Sequence, residues 1–217
     1  MIKPVRWNTF VRDFIRIQVG FFLFGLAITL MIRGNIGTSA WVVLEAALAE
    51  KLGVTVGTMT VIMGFLVLTS AVAMREKLGW GTLANILSIG PWVDVWNSFM
   101  PTVTDNLPLQ VGMLLLAVFL MGLGSAIYIG VDAGAGPRDS LMLAIKRTTG
   151  ISIRAARAMI EVTVVTVGWL LGGPAGIGTL VFALLIGPSV QWGFKIFKVQ
   201  PHREEEVVQA GIEGGAE

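Results

Sequence analysis

Six long apolar runs recur along the chain, at about 15–33, 55–74, 81–100, 110–130, 155–171 and 177–197. Each is close to the roughly 17–25 residues that a helix needs to cross a bilayer. Two shorter helical stretches sit at equivalent places. One, 39–51 (SAWVVLEAALAEK), lies between the first two runs, and the other, 138–148 (RDSLMLAIKRT), between the fourth and fifth. Both are too short and too charged to span. The pattern predicts an all-α membrane protein with six transmembrane helices and two short extra helices, re-entrant or interfacial. Residues 198–217 are polar and Gly-rich and read as a disordered cytoplasmic tail. The start resembles a signal peptide, with Lys3, Arg6, Arg12 and Arg16 ahead of an apolar run. That run belongs to a repeat that needs it, so 1–13 is read as a retained cytoplasmic segment.

The repeat emerges when the second half is slid against the first by 97 positions. Gly25 then meets Gly122, Gly37 meets Gly134 and Gly53 meets Gly150. Further on, Gly79-Trp80-Gly81-Thr82-Leu83 meets Gly176-Ile177-Gly178-Thr179-Leu180, and Ile89-Gly90-Pro91 meets Ile186-Gly187-Pro188. No gap is required, and the identities are roughly three times what this composition gives by chance. Convergent Gly-rich helix packing would also enrich glycine, but it would not hold one offset across three segments. The expected organisation is repeat 1 over 14–100, a periplasmic linker at 101–110 and repeat 2 over 111–197. Each repeat carries three spans, an odd number, so the second copy would insert upside down. Inverted repeats of this kind recur in secondary transporters.

Charge sharpens the topology. Lys and Arg stay on the cytoplasmic side of short loops. With six spans and both termini inside, only Arg33 and Lys51 of the 16 basic residues fall outside. Composition agrees: 54% of the residues are hydrophobic and 14% charged, against about 25% charged in soluble domains. Cysteine is absent and His202, the one histidine, lies in the tail. Thiolate or His-ligated metal sites, disulfides and Ser-His triads are therefore not expected. The chain has no metalloprotease, nucleophile-elbow, P-loop or dinucleotide motif, so it is read as no enzyme and as needing no cofactor. A net charge of +2 gives no reason to expect nucleic acid.

Three groups of residues could carry chemistry. Gly90-Pro91 and Gly187-Pro188 sit about ten residues into the third span of each repeat, near the midplane at about 1.5 Å per residue. Proline removes a helical N–H and crowds the carbonyl of Leu87 or Leu184. Such paired interruptions point to a transport site, or else to plain kinks. The second group is the start of each short helix, with Gly37, Thr38 and Ser39 in one repeat and Gly134, Gly136, Pro137, Arg138 and Asp139 in the other. Thr38 and Ser39 suit an N-cap and Pro137 the first helical position. Free N–H groups there, with the helix dipole and Arg138, favour an anion. Flat at the interface, the same helices would be amphipathic braces. The third group is ionisable and within spans. Arg154, Arg157 and Glu161 share a helix face, with Arg157 and Glu161 positioned to pair or to couple an ion. Asp94, whose repeat mate is Gln191, has no base near it in sequence. The seven tryptophans fall mostly near expected interfaces and call for no functional reading.

These segments carry a resemblance. Gly-Thr-Ser-Ala-Trp at 37–41, Ala-Gly-Ala-Gly-Pro-Arg-Asp-Ser-Leu-Met at 133–142 and the two Ile-Gly-Pro segments resemble the YczE/YyaS/YitT-type bacterial integral membrane proteins. The YczE branch is the nearest in pattern, over nearly the whole chain apart from the tail. Where an acidic residue is expected after the Trp of the first motif, this chain has Val42, so a paired-acid scheme across the repeats does not carry over. The resemblance implies a six-span protein of the bacterial cytoplasmic (inner) membrane, both termini cytoplasmic, of a kind often labelled a transporter or uncharacterised.

The functional expectation is transport of a small anionic or zwitterionic solute between the repeats. Arg138 and the short-helix N-termini would supply positive potential, and Asp94 or Glu161 coupling. The rival expectation is a non-transporting membrane subunit that supports a partner complex or a lipid-linked pathway. It requires a dry, filled repeat interface with Arg138–Asp139 and Arg157–Glu161 as internal pairs. Expected partners are the bilayer and the solute, with a homo-oligomer or membrane partner protein left open.

Overall fold

The computed structural model describes residues 6–74, 79–134 and 136–199 and is all-helical over them. The tail expected at 198–217 lies almost wholly outside the described residues, as do residues 1–5. Eight helices follow in order: α1 (Phe10–Gly34), α2 (Ala40–Leu52), α3 (Val56–Ala73), α4 (Trp80–Phe99), α5 (Leu107–Ile129), α6 (Pro137–Thr149), α7 (Ile153–Leu170) and α8 (Ile177–Phe197). Each of the eight expected segments is a helix, with ends within a few residues of the sequence reading. By length and composition, α1, α3, α5 and α8 are able to cross a membrane.

Local chemistry sets the boundaries. Thr55, Asn106 and Ser152 cap α3, α5 and α7, each accepting a backbone N–H three residues on, at 3.1, 3.1 and 3.2 Å. Pro137 opens α6 at its first position. Gly53 and Gly150 close the short helices in the left-handed region. Ser39 stands at the N-cap of α2, but its hydroxyl makes no capping bond. The Gly-Pro pairs also differ from expectation. Pro91 and Pro188 lie inside helices that run on through them, so neither interrupts its helix. Both rings face outward.

In lipid, apolar side chains gain little by leaving the tails, and close backbone approach drives helix association instead. The central contact, α1 along α5, follows that rule. A Cβ on Gly20 would lie 3.0 Å from the Gly124 carbonyl. On either flank α4 packs against α1 and α8 against α5, with Gly25 set against Trp92 and Gly122 against Ser189. The short helices are wedged across the bundle, α2 against α3 and α7, and α6 against α3 and α7. Trp41, Val42, Val43, Leu44, Glu45, Ala47 and Ala49 of α2 are buried, so α2 packs within the bundle.

Positions 97 apart share conformations. Gly178 donates its N–H to Ile36 O at 2.8 Å, and Gly81 to Ala133 O at 2.9 Å. Gly37 and Gly134 have φ of 122° and 123°, a region open to glycine and strained for other residues. The likeness stops at one seam. Helix α3 packs against α4, whereas the equivalent α7 and α8 stand apart. A Cβ on Gly57 would fall 2.1 Å from the Gly90 carbonyl, while one on Gly187, the counterpart of Gly90, meets nothing within 4 Å.

Candidate functional site

A cavity of about 530 Å³ fills the space that the α7–α8 seam leaves open, and residues of all eight helices reach it. Its polar side is built from the short helices. Glu45 of α2 is fully buried and forms an ion pair with Arg138 of α6. The Thr60 hydroxyl of α3 donates to its second oxygen at 2.8 Å. The Arg138 guanidinium also lies 4.7 Å over the Trp41 ring, a cation–π contact that strengthens where water is excluded. A buried carboxylate so partnered is tolerated, and it is costly if either partner is lost.

Beside this cluster, Asp139 accepts the Tyr128 hydroxyl of α5 at 3.0 Å. A Cβ added to Gly136 would meet Tyr128 Oη at 3.3 Å, Asp139 Oδ2 at 3.4 Å and Asn85 Nδ2 at 3.8 Å. Polar groups of three elements therefore converge on the first turn of α6. Across from them Arg157 donates to Glu161 at 2.9 Å within α7, both side chains partly open. The opposite wall is apolar, with Ile86 and Ile89 of α4, Met121 of α5, and Phe182 and Ile186 of α8.

Of the residues singled out in the sequence, Ser39, Gly136, Pro137, Arg138, Asp139, Arg157 and Glu161 line the cavity. The others fall elsewhere. Gly37 and Gly134 seat the starts of α8 and α4 through close backbone contacts, and buried Thr38 donates to Ser39 O beside them. Gly90 closes the α3–α4 seam, and Pro91, Gly187 and Pro188 do not line the cavity. Asp94 lies outside it too. Its carboxylate takes the Thr55 hydroxyl at 2.6 Å and the Gly57 N–H at 2.9 Å, which ties α4 to the positive end of α3. The side chain of Arg154 is not among those described.

The sequence reading missed Glu45, Trp41, Thr60, Tyr128 and Asn85. A signal for the first was present: Trp41 and Glu45 are four apart and so share a helix face, and position 41 is the repeat mate of Arg138. The carboxylate expected after Trp41 is thus supplied one turn along α2.

The arrangement is that of a helical membrane protein with an ionic cluster inside the bundle, at the wall of a largely apolar cavity. Residues 11–195 match a family described as "Family of unknown function (DUF6198)", and the chain belongs to it. It is 32% identical over 170 residues to the Bacillus subtilis "uncharacterized membrane protein YczE", covering 77% of this chain and 79% of that protein. An uncharacterized protein of Haemophilus influenzae is 31% identical over 180 residues, 83% of this chain and 82% of its own. The uncharacterized protein YyaS of Bacillus subtilis is 30% identical over 173 residues, 78% and 86%. No solved structure matches significantly.

Proposed function

We propose that the protein is a six-span transporter built of two inverted three-span repeats, binding a small solute in the cavity between them. The observation that carries this reading is the chamber of about 530 Å³ with Arg138, Asp139, Arg157 and Glu161 on its wall. A non-transporting subunit with a dry, filled interface would have no use for such a space, and Arg138 is paired with Glu45 rather than with Asp139.

The matched conformations at an offset of 97 support the symmetry. So does the contact between Arg138 and Trp41, because positions 138 and 41 are equivalent and equivalent positions meet only near a two-fold axis. If α2 dips in from one side and α6 from the other, their first turns meet at the centre. Helices lying flat on opposite surfaces would be separated by a core of about 30 Å, far beyond an ion pair. In this reading Glu161 is the coupling carboxylate, and one repeat rocks against the other around the site. The setting is the bacterial inner membrane with both termini cytoplasmic.

Uptake into proteoliposomes across a panel of amino acids and other small zwitterions tests it. Arg138→Ala abolishes uptake, while Asp94→Asn, outside the cavity, retains it. Uptake indifferent to Arg138→Ala removes the site.

A further inference from the structure

Three features of the cavity bear on what it holds. First, its charged groups, Arg138 and Asp139 in the first turn of α6 and Arg157 and Glu161 in the first half of α7, face a wall of α4, α5 and α8 that is mainly apolar, with Asn85, Ser125, Tyr128 and Thr179 as its polar members. Residues Thr179 to Val190 of α8 line it, a length of about 16 Å at about 1.5 Å per residue. Second, both arginines on the wall already face a carboxylate, Arg138 at Glu45 and Arg157 at Glu161. A lone inorganic anion finds no unpaired guanidinium there among the described side chains, so the polar end suits a neutral or zwitterionic head.

The third feature is the open seam. On α3 the residues that let α4 approach are Gly57 and Gly64. Their counterparts on α7 are Arg154 and Glu161, so α7 cannot come as close to α8 as α3 does to α4. The rim of the opening is mostly apolar, with Ala158 and Val162 on α7 and Leu180 and Ala183 on α8, all exposed and all reaching the cavity. The one exposed charge beside them, Arg157, is already paired with Glu161, and a mouth meant for water would carry unpaired polar groups on both helices. One that opens onto lipid tails would look like this.

We propose that the cavity's ligand is a single-chain amphiphile with a neutral or zwitterionic head, drawn sideways from the bilayer between α7 and α8. The head sits at Arg138, Asp139, Tyr128 and the Arg157–Glu161 pair. The chain lies along Ile86, Phe182 and Ile186 and leaves past Leu180 and Ala183. The idea deepens the transporter reading by naming a substrate class, and it depends only on the cavity being a ligand site.

Binding of N-alkyl-N,N-dimethylglycines of increasing chain length to the full chain in nanodiscs tests it, with empty nanodiscs subtracted. Affinity referred to the free aqueous ligand rises about four-fold per methylene as the chain passes from water into the apolar cavity, and glycine betaine without a chain does not compete. Ile186→Trp, which sets an indole across the path of the chain, weakens the saturable component at least about tenfold. The double variant Arg157→Gln/Glu161→Gln, at a partly open pair, keeps the chain-length slope and loses about tenfold in preference for the betaine over the matched alcohol. Three outcomes overturn the proposal: glycine betaine binding as tightly as the long chains, dodecyl sulfate binding best, or a second copy of the chain protecting the α7–α8 rim from labelling. Betaine binding without net uptake in proteoliposomes would leave this inference standing and sink transport. Uptake of a chain-free solute would do the reverse.

Discussion

Arg138 on α6 and Glu45 on α2 stand 93 positions apart and form one ion pair inside the bundle, with the Glu45 side chain wholly enclosed. The pair is the direct link between the two short helices, and it places a guanidinium over Trp41 at the cavity wall. Arg138→Met strands the enclosed Glu45 carboxylate, and the bundle loses about 3 kcal/mol. The matched double variant Glu45→Met/Arg138→Met recovers most of that loss. Thermal unfolding of the four proteins of this cycle in detergent checks it; equal losses in single and double variants would mean the pair is not coupled.

The α3–α4 and α7–α8 seams answer oppositely to the same change. Gly57→Ala pushes a methyl into the Gly90 carbonyl and costs about 1–3 kcal/mol. Gly187→Ala meets open space and gains about 0.5–1 kcal/mol from alanine's helical preference. Unfolding midpoints that move in the same direction would deny the asymmetry of the seams.

Helix positions were fully legible because long apolar runs bounded by Gly, Ser, Thr and Asn leave few alternatives. The matched glycines Gly37 and Gly134 were visible in the sequence as repeat mates, but their use was not: they read as part of a binding site, and they seat the starts of α8 and α4 instead. What stayed hidden depends on tertiary approach. Glu45 reads in sequence as a charge on a short surface helix, and only the wedging of α2 between α3 and α7 turns it inward. Gly90-Pro91 reads as a break at a binding site, yet the glycine serves a seam and the proline faces outward. Asp94 reads as unpartnered because Thr55 and Gly57, which hold it, lie on another helix.

Asp94→Asn removes a negative charge from the positive end of α3 and lowers stability by about 0.5–1 kcal/mol. Ligand affinity in the cavity is unchanged. A loss of binding that exceeds the loss of folded protein would place Asp94 in the site after all.

Gly37 and Gly134 form a matched pair for the crossing loops. Alanine at either costs about 1–2 kcal/mol through its left-handed backbone alone, and a Cβ there also meets backbone nitrogen at 2.7 Å or backbone carbon at 2.6 Å. The two losses are similar in size by thermal unfolding. A silent substitution at one of them would mean that its loop does not seat the neighbouring helix as its mate does.

The inverted arrangement is most directly read from the ends of the short helices. The chain contains no cysteine, so single substitutions report cleanly. Lys51 and Thr148, 97 positions apart, are both exposed. With Lys51→Cys and Thr148→Cys in oriented vesicles, an impermeant maleimide labels position 51 from the periplasmic side and position 148 only after the cytoplasmic side is opened. Labelling of both from one side would contradict the inverted repeat and the two-sided convergence of α2 and α6 on the cavity.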